Sequence, residues 1–98
     1  MSGLYFLNQF NMALLDDFNA AVARSKELTK RPSNEELLEL YGLFKQATDG
    51  DVTGERPGGF DFKGIAKFDA WASKKGIAKE QAMQDYVALM EKLHQNYA

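Results

Sequence analysis

Tyr41 and Lys45 stand four residues apart, and Lys63 and Lys67 repeat that interval further along the chain. On a helix, residues four apart share a face, so each pair projects its polar groups in one direction. Two ammonium groups arriving from different helices would neutralise a phosphate monoester, each acting as a compact point charge. Phe44, beside Lys45, offers a flat ring for a base to stack on, an interaction worth roughly 1–3 kcal/mol per base in nucleic-acid complexes. Between the lysine pairs runs a turn-rich stretch holding Gly50, Gly54, Pro57, Gly58 and Gly59. The chemistry that fits is recognition of a small anion carrying an aromatic ring. Each residue alone has a plainer reading: Tyr41, Phe44 and Tyr86 as core aromatics, the lysines as a solvated face. Their joint occurrence favours binding.

Other chemistries find little support. The one histidine, His94, stands in the last turn of a helical pattern, where a cation suits the helix dipole. With one histidine and no cysteine, a transition-metal site lacks ligands and a disulfide scaffold is excluded. Asp49 and Asp51 flank Gly50 in the manner of a calcium loop, but the EF-hand spacing and its terminal glutamate are missing. The glycines lack the order of a phosphate loop ending in Gly-Lys-Ser/Thr. We expect no catalytic residues, no metal and no cofactor.

The elements that must position these groups are helical. Ninety-eight residues with 45% apolar content make one domain with a single core. A net charge of −2 argues against broad phosphate contact, so no nucleic acid is expected as a partner. The charge is uneven, however: Lys63, Lys67, Lys74, Lys75 and Lys79 face a single acid, Asp69, over residues 63–79. A local basic face on an acidic chain suits a compact anion. Residues 1–15 carry no charge, yet Asn8, Gln9 and Asn11 break the apolar run. A spanning helix needs about 20 apolar residues, so no stable membrane insertion is expected. Residues 1–13 read as an uncharged arm or helix extension, with the alternative that Met12 is a start and residues 1–11 lie ahead of it; residues 14–98 form the domain.

Four helices follow from periodicity and end signals. The first runs from about Leu15 to Leu28, with Leu14, Leu15, Phe18, Val22 and Ser25 on one face and Asp16 and Asp17 near its positive end. Ser33 and Glu36 form a capping box that starts the second, Asn34 to Thr48. Its apolar residues cover more than one stripe, so it is either central to the core or has a second apolar face. The third follows Asp61 and reaches Lys75 before Gly76, with Ile65, Phe68, Trp71 and Ala72 as core stripe. The fourth spans Lys79 to Tyr97, with Ala82, Met83, Tyr86, Val87, Met90, Leu93 and Tyr97 recurring at helical period. Residues 49–60 make a loop long enough to be functional. The fold class is all-α.

The stretch YGLFKQATDGDVTGERPGGFDFKGIAKFDAW (residues 41–71) resembles the signature region of the acyl-CoA-binding protein family. The likeness runs without a gap from about Phe18 to Tyr97. It takes in the Lys-Arg-Pro turn at 30–32, Gly-Glu-Arg-Pro-Gly at 54–58, Asp-Phe-Lys-Gly at 61–64 and Asp-Ala-Trp at 69–71. The resemblance implies a four-helix up-down-down-up bundle with a groove for long-chain fatty acyl-CoA. It also implies that Tyr41, Lys45 and Lys67 hold the ribose 3′-phosphate, Phe44 lies against adenine, and Lys26, Lys63 and Tyr86 line the remaining contacts. Four positions depart from the family pattern: Phe44 stands where tyrosine is common, Phe68 replaces the first of two tryptophans, Ile65 takes an often basic position, and Ala78 replaces a helix-capping serine or threonine. Leu37, Leu38, Val22 and Ala66 are candidates for the acyl wall. The expectation is a cytoplasmic, non-catalytic carrier in transient contact with acyl-CoA-using enzymes, the alternative being a helical protein-interaction module without lipid ligand.

Overall fold

The computed structural model describes the backbone of residues 2–98 and the side chains from Met12 onward. It contains four α-helices: α1 (Ser2–Arg24), α2 (Asn34–Thr48), α3 (Phe62–Ala72) and α4 (Lys79–Tyr97), with a 3₁₀ turn at Ser25–Glu27. The division at residue 13 into arm and domain falls on a segment whose side chains lie largely outside the described residues.

The capping box that marks α2 in the sequence is formed. Ser33 Oγ accepts from the Glu36 N–H at 3.1 Å, and Glu36 Oε1 accepts from the Ser33 N–H at 2.9 Å. Asp61 caps α3 by accepting from the Gly64 N–H at 3.0 Å. α1 corrects the expected start near Leu15. Because it begins at Ser2, Asp16 and Asp17 stand well inside it, and its first turn holds no acid. Its buried stripe is Leu14, Phe18 and Ala21, while Leu15 is 45% exposed. α3 stops at Ala72 rather than Lys75, because residues 73–76 coil into turns ending at Gly76, whose φ of +92° leaves the helical region.

Side-chain pairs fix the helix directions. Phe18 meets Tyr86, and Glu27 meets His94, so α1 and α4 run parallel. Glu36 meets Tyr97, and Phe44 meets Tyr86, so α2 and α4 run antiparallel. Tyr41 meets Lys67, and Lys45 meets Trp71, so α2 and α3 run parallel. The bundle is therefore up-down-down-up. That topology also explains the long loop: a chain leaving the end of α2 must travel back along it, about 22 Å for fifteen residues, before α3 can start parallel.

The core is shared by α1, α2 and α4: Phe18, Ala21, Leu40, Leu43, Ala47, Ala82, Tyr86, Met90 and Leu93 are all buried. α3 contributes no buried residue, and its expected stripe of Ile65, Phe68, Trp71 and Ala72 is only half-buried. Among the described residues, α2 is the only helix it packs on. α2 thus buries Leu40, Leu43 and Ala47 in the core and leaves Leu37, Leu38 and Tyr41 half-exposed on its other side. Both readings of its wide apolar surface hold together.

Candidate functional site

The second face of α2 and the opposing face of α3 bound a groove of about 510 Å³. Ligand pockets run from roughly 300 to 1,000 Å³, so this one can take a sizeable organic group. Leu37, Leu38, Ala66 and Phe62 supply its apolar lining; Arg31, Asn34, Tyr41, Lys63 and Lys67 supply polar and cationic groups. Parallel packing of α2 and α3 places the Leu37–Tyr41 turn beside the Lys63–Lys67 turn. The four-residue spacing on each helix does the rest.

Close approach of the two helices depends on Gly42. A Cβ there would lie 2.5 Å from the Ala70 carbonyl oxygen, so only a bare α-carbon allows this separation. Outside the groove, α3 is held by polar ties. Trp71 Nε1 donates to the Gly50 carbonyl at 2.7 Å. Arg56 forms a two-pronged bridge to Asp69, with Nε to Oδ1 at 2.8 Å and Nη2 to Oδ2 at 2.9 Å, fastening the long loop to α3. Lys74 pairs with Glu39 of α2.

Of the residues singled out in the sequence, Tyr41, Lys63 and Lys67 line the groove together. The Lys67 ammonium sits 4.9 Å from the Tyr41 ring centroid. Lys45 lies one turn beyond, paired with Asp49 and 4.6 Å over the Trp71 ring. The hydrogen bond that Lys45 donates to the Asp49 carboxylate raises the Lys45 pKa above its ordinary value and lowers that of Asp49, so both keep their charge through the neutral range. Phe44 and Tyr86 belong to an aromatic cluster with Phe18. Phe44 stacks on Phe18 at 6.0 Å and 24°, and Tyr86 meets Phe18 edge-on at 5.1 Å. Burial pushes the Tyr86 hydroxyl pKa up. Lys26 is exposed in the 3₁₀ turn after α1. Of the suggested acyl wall, Leu37, Leu38 and Ala66 line the groove, whereas Val22 packs against the core. Arg31, Asn34 and Phe62 are lining residues that spacing did not reveal; the Lys-Arg-Pro turn and the residue after the α3 cap were the signals available.

Among the described residues, no group of three or more His, Asp or Glu side chains is placed to hold a metal ion, and no helix is long and apolar enough to cross a membrane. The arrangement is a binding surface: an apolar floor with cations along its edge, suited to an amphiphile with an anionic head.

Comparison with known proteins agrees with this geometry. The family profile described as Acyl CoA binding protein matches residues 15–90. Acyl-CoA-binding protein homolog 1 of Caenorhabditis elegans is 55% identical over 80 residues, covering 82% of this chain and 93% of its own. The homolog of Drosophila melanogaster is 49% identical over 83 residues, covering 85% and 96%. The crystal structure of Oryza sativa Acyl-CoA-Binding Protein 2 superposes with a TM-score of 0.86 at 42% identity, covering 90% of this chain and 96% of that one. The chain belongs to the acyl-CoA-binding protein family.

Proposed function

We propose that this chain is a non-catalytic carrier that binds long-chain fatty acyl-CoA esters, shields them from water and passes them to enzymes that consume them. The observation that carries this reading is the groove itself, with an apolar floor of Leu37, Leu38 and Ala66 beside Lys63, Lys67 and Tyr41. Tyr41 and Lys67 in the groove, with Lys45 one turn beyond it, hold the ribose 3′-phosphate; Phe44 lies against the adenine, and Lys26, Lys63 and Tyr86 complete the contacts. Phe44 is half-buried and stacked on Phe18, which keeps its ring stiff. The Lys45 ammonium is held by Asp49 and rests over Trp71, so its position is restrained before a phosphate arrives. The acyl chain lies along the apolar floor, where each methylene removed from water contributes roughly 0.8 kcal/mol. The absence of cysteine fits a reducing compartment such as the cytoplasm.

Titration with palmitoyl-CoA, free coenzyme A and free palmitate tests the reading. Palmitoyl-CoA binds far more tightly than either part alone; equal affinity for palmitate would remove the role given to the lysines. In Lys67→Ala, the preference for palmitoyl-CoA over its 3′-dephospho form falls by roughly tenfold relative to the wild type, as the loss of one of several charge-assisted contacts requires.

A further inference from the structure

Two aromatic side chains beside the groove are left in solvent. Phe60 is 92% exposed and Phe62 is 70% exposed. They follow Gly58 and Gly59, and a tight turn in which the Phe62 N–H donates to the Phe60 carbonyl at 2.9 Å sets them side by side. Their rings meet edge-to-face with centroids 6.1 Å apart. Phe62 borders the groove and Phe60 projects beyond it. A paired apolar projection of this kind marks an interaction surface. Its electrical surroundings identify the partner. Arg31, Lys63 and Lys67 line the groove next to Phe62. The one acid between the rings, Asp61, is exposed and holds its carboxylate on the Gly64 N–H as the cap of α3.

We propose that Phe60 and Phe62 form an aromatic lip that docks the ligand-free protein on an anionic lipid surface, with the groove mouth against the bilayer. Aromatic rings favour the headgroup boundary, and cations near an anionic leaflet add attraction that falls away within a Debye length. The inference rests on the carrier reading in one respect: the same cations serve the lipid surface and the cargo. A bound acyl-CoA ester brings its phosphates to these cations and cancels the attraction, so loading releases the protein from the surface it loaded at. A long-chain ester partitions into membranes, so this is where the cargo is met.

Flotation of the full chain with vesicles tests the lip, using phosphatidylcholine alone or phosphatidylcholine with 30% phosphatidylserine (roughly the anionic share that gives a strong surface potential). Wild-type protein floats with the anionic vesicles and not with the neutral ones. Phe60→Ser, a change at a solvent-exposed side chain outside the groove, reduces the floating fraction by about tenfold, the loss expected for one withdrawn aromatic ring. Its palmitoyl-CoA affinity in vesicle-free buffer equals that of the wild type. Octanoyl-CoA, added as a water-soluble cargo, releases the wild type from the vesicles, and 150 mM salt weakens docking as screening predicts. Equal flotation of Phe60→Ser and wild type overturns the lip. So does Phe60→Ser floating normally while slowing vesicle-free transfer of palmitoyl-CoA to a consuming enzyme, which would assign the rings to a protein partner. Wild-type protein that docks but fails to bind palmitoyl-CoA overturns the carrier reading and leaves the lip standing.

Discussion

Asp51 ties three segments together at the far end of the groove wall. Its Oδ1 accepts from the Gly76 N–H at 2.8 Å and from Gln46 Nε2 at 2.9 Å. Gln46, 1% exposed, gives its other amide hydrogen to the Ile77 carbonyl at 2.7 Å. The end of α2 is thereby joined to the α3–α4 connection. The Gly76 N–H, and after it the Gln46 amide, hold the Asp51 pKa below its ordinary value. A depressed carboxylate pKa means that the stabilisation is present above the unfolded value and disappears as pH falls through the folded one. The melting temperature therefore falls as pH drops below about 4, near the ordinary aspartate value. Asp51→Asn melts lower than the wild type at pH 7, and the gap narrows as pH falls below the ordinary aspartate value; a gap that stays constant would show that the charge is not what matters. In the sequence Asp51 read only as part of an incomplete calcium loop, because its partners lie 5 and 25 residues away. Phe44 teaches the same lesson. Its spacing put it on a face with Tyr41 and Lys45, yet its ring stacks on Phe18, a contact that depends on how α1 crosses α2.

At the level of elements, ends with local chemistry were legible and ends without it were not. α2 begins where Ser33 and Glu36 say it must, and α4 follows its apolar period from Lys79 to Tyr97. α1 has no capping signal and no acid in its first turn, so an uncharged run of mixed residues gave no reason to start it at Ser2. α3 ended early because a turn, rather than a glycine alone, finishes it. The α4 start carries the omission noted in the sequence: Ala78 has the extended φ of −62° and ψ of 147° that a capping residue needs, but no side-chain hydrogen bond. Ala78→Ser supplies that oxygen, with Gln81 three residues on to complete a capping box, and raises stability by about 1 kcal/mol in urea denaturation. Gly42→Ala goes the other way. Helix propensity alone predicts a gain of about 1 kcal/mol. The collision with the Ala70 carbonyl instead costs about 1–3 kcal/mol and weakens palmitoyl-CoA binding by prying α3 from α2. A stabilised Gly42→Ala would mean that the helices have room to spare.

Seen as a whole, the molecule keeps its core and its groove on opposite sides of one helix. α2 shares Leu40, Leu43 and Ala47 with α1 and α4, and turns Leu37, Leu38 and Tyr41 toward α3. The sequence showed that α2 had too much apolar surface for one face; which neighbour took which face is a property of the packing. The three-helix core also has a consequence in time. α3 adds no buried side chain, packs among the described residues on α2 only, and is held by Trp71, Arg56 and Lys74 at its margins. The core can assemble without it once Phe44 and Tyr86 meet, which closes the costly stretch of chain between α2 and α4. α3 then docks late. Changes that break its ties, such as Asp69→Asn opposite Arg56, leave the refolding rate in a denaturant jump unaltered and speed unfolding, whereas Leu93→Ala in the core slows refolding. The groove wall would be the last part of the molecule to arrive and the first to leave.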